Sequence, residues 1–82
     1  MPVSRRVVVY HAPGCHLCER ALRTVRALRE ELAYDLREVD ISRDPELEAR
    51  YREWLPVVEV DGERAFVYFV PPEGLRRRLA VR

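Results

Sequence analysis

The amino-terminal part of the chain contains the sequence RRVVVYHAPGCHLC at residues 5–18. Its first half is rich in β-branched and aromatic residues and predicts a strand over Arg5–Tyr10. Because its valines are not separated by polar residues, we expect this strand to be buried on both faces of a sheet. Pro13 and Gly14 then indicate a loop. Apolar residues at spacings of three and four follow, and they predict an amphipathic helix over about 15–33.

A second strand and a second helix are predicted in the middle of the chain. An imperfect alternation of apolar and polar residues favours a strand over Tyr34–Ile41. Asp44 followed by Pro45 is typical of a helix start, with aspartate as the N-cap. We expect this helix to end at Leu55-Pro56, because the residue before a proline is pushed out of the helical region. Its apolar face is predicted to carry Leu47, Tyr51 and Trp54, as core or as the rim of a groove.

The last part of the chain predicts a hairpin and a short helix. Val57–Val60 and Arg64–Phe69 are rich in β-forming residues, and Asp61-Gly62 between them is a dipeptide typical of type I′ turns. Pro71-Pro72 ends the second strand, and a helix through Leu75 and Leu79 follows. The predicted order is therefore β-α-β-α-β-β-α, an α/β fold in which a four-stranded mixed sheet has helices on both faces. We expect one small domain over residues 1–82.

Composition excludes several classes of protein. Fifteen arginines oppose fourteen acidic residues, and the net charge of +1 gives no field that would attract nucleic acid or an anionic membrane. The run Val7–Tyr10 is too short for a membrane span or a signal peptide. Only two cysteines are present, which argues against a secreted disulfide scaffold. We therefore expect a cytoplasmic protein without nucleic-acid or membrane partners.

The two cysteines form a C-x-x-C pair, Cys15 and Cys18, between the first strand and the first helix. This arrangement beside a βαβ pattern is typical of redox-active dithiols. Cys15 is predicted at the start of the helix, where unpaired N–H groups and the helix dipole stabilise a thiolate. Cys18 begins the apolar stripe and is expected to be the more buried sulfur. We predict that both are catalytic, with Cys15 as the attacking thiol.

The sequence leaves two other interpretations of the cysteine pair open. A structural disulfide is one, although closing so small a loop removes little chain entropy. A metal site is the other, because His11 and His16 lie within a few residues of the cysteines. Closed zinc sites usually draw a second ligand pair from a distant segment. The metal interpretation therefore takes the form of an iron–sulfur cluster or a metal held between two chains.

The order of motifs resembles that of the small glutaredoxin-like proteins of the thioredoxin superfamily. The resemblance is carried by the first strand, the segment Pro13–Cys18 and the helix after it. It continues through Val39-Asp40-Ile41, Asp44–Leu47 and Leu55–Val58, and then Asp61-Gly62, so it covers the chain from about Val7 to about Phe69. The resemblance implies a thioredoxin-like fold and a thiol–disulfide oxidoreductase that needs no cofactor.

The same resemblance implies where a substrate binds. Leu55-Pro56 is expected to be a cis peptide bond facing the cysteines, with the backbone at Leu55 pairing with an extended thiol substrate. Pro13, Gly14 and His16, which flank the first cysteine, are expected to contact the substrate as well. A protonated His16 would favour the Cys15 thiolate. A solvated histidine at the helix start explains the residue equally well.

Three departures from glutathione-dependent glutaredoxins concern the choice of partner. His16-Leu17 replaces the usual Pro-Tyr between the cysteines, and Ala12 stands where a lysine is usual. Pro71-Pro72-Glu73-Gly74 replaces the Gly-Gly and acidic cluster that opens the last helix. Prolines supply no N–H donors, and Glu73 repels a carboxylate. Glutathione is therefore a doubtful partner, and we expect a protein or another low-molecular-weight thiol or disulfide.

The sequence thus predicts a cytoplasmic thiol–disulfide oxidoreductase acting through Cys15 and Cys18. The alternative functions are a thioredoxin-like carrier of a metal or iron–sulfur cluster, and an adaptor that docks a partner without turnover.

Overall fold

The computed structural model describes residues 5–80, so residues 1–4 and 81–82 of the expected domain lie outside it. The elements are, in chain order, β1 (Arg6–His11), α1 (His16–Leu32), β2 (Asp35–Asp40), α2 (Pro45–Tyr51), β3 (Val57–Val60), β4 (Glu63–Val67) and α3 (Pro72–Ala80). The predicted order β-α-β-α-β-β-α is confirmed. Within the described residues, no helix is long and apolar enough to cross a membrane.

The four strands form one mixed sheet in the spatial order β2-β1-β3-β4. β1 runs parallel to β2 and antiparallel to β3, and β3 and β4 form an antiparallel hairpin. Asp61 and Gly62 at the turn both have positive φ, 51° and 86°, as a type I′ turn requires. The predicted mixed sheet and its closing hairpin are therefore confirmed.

The two faces of the sheet are covered by different helices. Val7 and Val9 of β1, with Val58 and Val60 of β3, face the main core, which α1 and α3 complete. Tyr10 and Val57 point to the other face, where they pack with Ile41, Leu47 and Tyr51 around α2. Side chains alternate between the two faces of a strand, so β1 and β3 are enclosed on both sides. The prediction of helices on both faces is confirmed.

The second helix is shorter than predicted. α2 begins as expected, since the carboxylate of Asp44 accepts the N–H groups of Glu46 and Leu47 at 2.9 and 3.4 Å. It ends at Tyr51, however, and Trp54 lies in a turn beyond it, with its N–H donated to the Tyr51 carbonyl. Trp54 is consequently 44% exposed and not part of a helix face. The N–H of Trp54 donates to a carbonyl three residues back instead of four, so a tighter turn replaces the last predicted turn of the α-helix.

The ends of two strands also differ from the prediction. β2 spans Asp35–Asp40 only, because the Asp40 carboxylate accepts the N–H of Ser42 and starts a 3₁₀ turn at Ile41–Arg43. β4 spans Glu63–Val67 rather than 64–69, because Tyr68 has a positive φ of 69° that no strand accommodates.

Candidate functional site

Three separate segments meet at one end of the sheet. Tyr10 of β1 lies opposite Val57 of β3, so the loop after β1 adjoins the residues before β3. Val57 lies opposite Val67 of β4, so the residues after β4 join them. Ala12 and Leu55 accordingly pack against the same apolar cluster. The site is therefore built from the Cys15 loop, the segment around Pro56 and the segment after β4.

The two cysteines are joined in a disulfide with a Cα–Cα distance of 5.2 Å. Cys15 is the N-cap of α1, with an extended backbone at φ −98° and ψ 106°. Its sulfur accepts the N–H of Cys18 at 3.1 Å, and its carbonyl accepts the N–H of Glu19 at the same distance. One first-turn N–H of the helix is thus directed at the sulfur of Cys15, where it and the helix dipole stabilise negative charge.

The environments of the two sulfurs differ. Cys18 is only 1% exposed and lies against the start of the main core, whereas Cys15 is half-buried beside exposed Pro13 and Gly14. The predicted burial of Cys18 is confirmed. Gly14 adopts φ +77°, a left-handed conformation that a glycine takes without strain. This turn brings Cys15 to the surface at the start of the helix.

The two histidines near the cysteines in the sequence have different surroundings. The His16 side chain is 94% exposed, and its Nδ1 lies 3.9 Å from a carboxylate oxygen of Glu19. His11 ends β1 opposite Asp40 of β2. Across residues 5–80, no three histidine, cysteine or acidic side chains come together as a metal-binding group. The two histidines and two cysteines therefore do not assemble into a ligand set within the described part of one chain.

The segment before β3 supplies the predicted cis proline. The Leu55-Pro56 bond is cis, as the family resemblance implied. Pro56 is buried and Leu55 is half-buried. The carbonyl of Pro56 accepts the N–H of Tyr68 at 2.9 Å. The backbone N–H and carbonyl of Leu55 make no hydrogen bond with any other residue among 5–80.

A tyrosine pair supports the site from the α2 face of the sheet. The rings of Tyr10 and Tyr51 stack with centroids 4.3 Å apart, and both hydroxyls donate to the carboxylate of Glu59, at 3.4 and 3.3 Å. Burial, reinforced by the charge of Glu59, raises the pKa of Tyr10 to about 12. Tyr10 is therefore a neutral donor at physiological pH, and it holds the end of β1 that leads into the Cys15 loop.

The sequence analysis placed Trp54 in the core or at the rim of a groove, but it missed three other large apolar side chains that are exposed in the segments of the site. The large apolar residues exposed in the described part of the chain are Leu17 at 44%, Trp54 at 44%, Tyr68 at 43% and Phe69 at 62%. All four belong to the segments that meet at the site. For Tyr68 and Phe69, a signal was present in the length of the hairpin. Because β3 begins only after Pro56, β4 has pairing partners only as far as Val67, and Tyr68 and Phe69 have none on β3.

The fold and the cysteine pair together define a thioredoxin-fold protein with a surface disulfide at the start of its first helix. Residues 6–80 match the family described as Glutaredoxin-like domain (DUF836), and the chain belongs to that family. A comparison with curated proteins finds no match.

Solved structures agree with this assignment. Protein Ne2328 from Nitrosomonas europaea is 25% identical over 95% of this chain and 94% of its own, with a TM-score of 0.77. Protein XcR50 from X. campestris is 27% identical over 93% and 99%, with a TM-score of 0.74. Thioredoxin from Fasciola hepatica, 24% identical over 94% of this chain and 79% of its own, has a TM-score of 0.66 and shows the fold alone. The expected thioredoxin-like fold and glutaredoxin-like family are confirmed.

Proposed function

We propose that the protein is a thiol–disulfide oxidoreductase in which Cys15 is the attacking thiol and Cys18 the resolving thiol. The observation that carries this proposal is the asymmetry of the disulfide. Cys15 is the half-buried N-cap whose sulfur accepts the Cys18 N–H, while Cys18 is buried behind it. A thiolate at such a position is stabilised and reactive. A buried partner one helical turn further on is placed to complete the exchange.

The reaction proceeds in two exchanges that begin with both cysteines reduced. The Cys15 thiolate attacks one sulfur of a substrate disulfide, that bond breaks, and the other substrate sulfur leaves as a thiolate that takes a proton from water. Cys18 then loses its proton to the solvent and attacks the Cys15 sulfur. The bond between Cys15 and the substrate breaks, and the second substrate sulfur leaves as a thiolate that takes a proton from the solvent. Two electrons pass from the cysteine pair to the substrate, and the Cys15–Cys18 disulfide is formed.

Substrate binding is proposed at the residues that flank the pair. Leu55 offers an N–H and a carbonyl that the described protein does not use, which supports pairing with an extended substrate backbone. Pro13, Gly14 and His16 are exposed around the first cysteine, and Pro56 fixes the segment opposite. The charge of a protonated His16 lies in solvent next to Glu19, so we assign it a contact role rather than control of the thiolate.

Protein disulfides or low-molecular-weight disulfides other than glutathione are the proposed substrates. Ala12 supplies no cation, Pro71 and Pro72 supply no N–H donors at the start of α3, and Glu73 is paired with Arg76. We therefore predict that glutathionylated Cys15 forms slowly and that a thioredoxin-type reductant sustains faster turnover than glutathione. Steady-state rates with the two reductants measure this, and a glutathione dissociation constant in the micromolar range would contradict it.

The cytoplasm is the proposed site of action. Both cysteines of the chain belong to the exchanging pair, and in a reducing compartment disulfides are mostly transient and catalytic.

Two single substitutions test the proposal. We expect reduced Cys18→Ser protein, mixed with 2-hydroxyethyl disulfide, to accumulate an adduct on Cys15, because nothing resolves it. The Cys15→Ser protein is expected to form no adduct at the buried sulfur. Mass spectrometry of both proteins decides the matter. An adduct only in Cys15→Ser would reverse the roles, and equal loss of stability without any adduct would indicate a structural disulfide.

The carrier alternative is tested on the same preparations. A visible absorbance band in anaerobically purified parent protein, lost in both variants, would indicate an iron–sulfur cluster instead of a dithiol.

A further inference from the structure

A strained turn follows β4 at the end of the sheet where the Cys15 loop begins. Tyr68 has a φ of 69°, and the N–H of Phe69 donates to the carbonyl of Val67 at 2.7 Å. This is a γ-turn of the rare left-handed form, which is costly for a bulky residue. Such strain persists only where the surroundings impose it, and it concentrates at functional sites.

The surroundings of Tyr68 impose this conformation at three points. Its N–H donates to the carbonyl of Pro56 at 2.9 Å, and its hydroxyl donates to the carbonyl of Glu53 at 3.0 Å. Its ring lies 6.3 Å from that of Trp54. With Tyr68 fixed in this way, the chain turns and leaves Phe69 the most exposed large apolar side chain among residues 5–80.

Phe69 and Leu17 are two walls of one small cleft. α1 contributes Leu17, Arg20 and Thr24 to the lining, and the segment after β4 contributes Tyr68, Phe69 and Val70. The cleft has a volume of about 30 Å³. A cavity needs about 10–15 Å³ on this measure to hold one water molecule, and a cavity of about 150 Å³ holds benzene. The cleft therefore admits the methyl end of an aliphatic side chain but not a whole aromatic ring.

The charge at the cleft is positive. Arg20 makes no ion pair or side-chain hydrogen bond with any other residue in 5–80. An unpaired guanidinium beside an apolar cleft is complementary to a carboxylate on the molecule that binds there.

We propose that this cleft selects polypeptide disulfides in which a bulky aliphatic residue adjoins the reacting cysteine and a carboxylate lies close by for Arg20. The proposal rests on the thiol–disulfide function proposed above. A polypeptide is the occupant because the free N–H and carbonyl of Leu55 match a peptide backbone. The cleft lies near the reacting pair along the chain, since its wall Leu17 stands between the two cysteines in the sequence. Phe69 is then a specificity-determining residue, and Tyr68 positions it.

The test uses reduced Cys18→Ser protein and symmetric disulfide dimers of short capped peptides. One peptide has leucine on both sides of its cysteine, the other has serine, and each carries one glutamate two residues from the cysteine. We expect adduct formation on Cys15 to be at least about tenfold faster with the leucine peptide, the range that one apolar side chain contributes to discrimination. Adding Phe69→Ser should reduce this ratio to about two, mainly by slowing the reaction of the leucine peptide.

Two further variants separate the cleft from general surface apolarity. Phe69→Leu keeps an apolar wall and is expected to retain most of the preference. Val39→Ser removes a half-buried apolar side chain of β2 that does not line the cleft, and it should keep the ratio. Equal loss of the preference in Val39→Ser and Phe69→Ser, or a ratio near one in the starting protein, would overturn the proposal.

Arg20 is tested against Arg23, a second exposed arginine of α1 without an ion pair among residues 5–80. Replacing the peptide glutamate by glutamine should slow adduct formation in the Arg23→Ala protein but not in the Arg20→Ala protein. Equal effects in both variants would refute the charge component.

Failure of the oxidoreductase function and failure of the proposed selectivity give different results. Absence of any adduct between the Cys18→Ser protein and 2-hydroxyethyl disulfide would refute the oxidoreductase itself. Normal reaction with that small disulfide, together with equal rates for the two peptides, would refute only the proposed selectivity.

Discussion

At the scale of single residues, the chemistry depends on a difference between two identical side chains. Cys15 and Cys18 are both cysteines, but one is the half-buried N-cap of α1 and the other is buried against the core. The N–H of Cys18, in the first turn of the helix, donates to the first sulfur. Position in one helical turn is therefore sufficient to give the two thiols separate tasks.

This difference is measurable in the reduced protein. We predict that iodoacetamide alkylates Cys15 much faster than Cys18, and that the Cys15 rate reaches half of its maximum at a pH below about 8.5, the value of a free thiol. The reason is the stabilisation of the thiolate by the Cys18 N–H and the helix dipole. Mass spectrometry of quenched samples across a pH series gives both rates. Equal rates, or a midpoint at or above about 8.5, would contradict this assignment.

At the scale of secondary structure, one side chain in the hairpin turn adds to the backbone pairing that joins the hairpin to β1. The carboxylate of Asp61 accepts the backbone N–H of Arg6 at 2.9 Å and forms an ion pair with the side chain of Arg5. The N–H of Asp61 in turn donates to the Arg6 carbonyl at 2.8 Å. The turn that reverses the chain thus also fixes the hairpin against the neighbouring strand.

The charge of Asp61 is expected to stabilise the protein in a pH-dependent way. The Arg6 N–H, followed by Arg5, lowers the pKa of Asp61 below its usual 3.8. A carboxyl whose pKa is lower in the folded state than in the unfolded state stabilises the protein at pH values above its usual pKa. This stabilisation is lost as the pH falls through the lowered folded-state pKa. Asp61→Asn keeps an acceptor and tolerates the positive φ, but it removes the charge.

We predict that urea unfolding at pH 7 finds Asp61→Asn less stable by at most about 1 kcal/mol, because the group is largely exposed and screened. The difference should disappear at about pH 2, where the parent carboxylate is protonated. A difference that is the same at both pH values would show that the charge is not responsible.

At the scale of the whole molecule, each face of the sheet encloses at least one hydrogen-bonded tyrosine. Tyr34 lies in the main core and donates its hydroxyl to the Val25 carbonyl of α1, and Tyr10 lies on the α2 face. Burial raises the pKa of each phenol to about 12. Both faces of the sheet therefore enclose a phenol that ionises more readily in the unfolded chain.

Alkaline pH should consequently destabilise the fold as a whole. Tyrosines of the unfolded chain ionise near pH 10. The stabilisation that follows from the raised pKa values of Tyr10 and Tyr34 is therefore complete below pH 10, and it is lost as the pH rises toward about 12. We predict a falling free energy of unfolding in urea titrations above pH 10, with a smaller slope in Tyr34→Phe. An unchanged slope in that variant would exclude Tyr34 as a source of the effect.

The sequence predicted the parts of the fold that side-chain periodicity and turn chemistry determine. β1, α1 and the Asp61-Gly62 hairpin follow from apolar patterns and from a dipeptide suited to positive φ. The γ-turn at Tyr68 could not be predicted in this way, because carbonyls of Pro56 and Glu53, distant in the chain, impose it. The cysteines were therefore found from the sequence, while the cleft beside them required the tertiary structure.

Because three separate loops form the site, partial unfolding should affect thiol reactivity and substrate selectivity differently. Cys15, Leu55 and Phe69 are contributed by segments forty and fourteen residues apart, and a backbone hydrogen bond between Tyr68 and Pro56 helps to join the last two. A fragment that retains only the loop and first turns of α1 would keep two thiols and lose every means of choosing between substrates. Reactivity is a local property of this chain, whereas discrimination is a property of its native state, so loss of selectivity on heating should precede loss of thiol exchange.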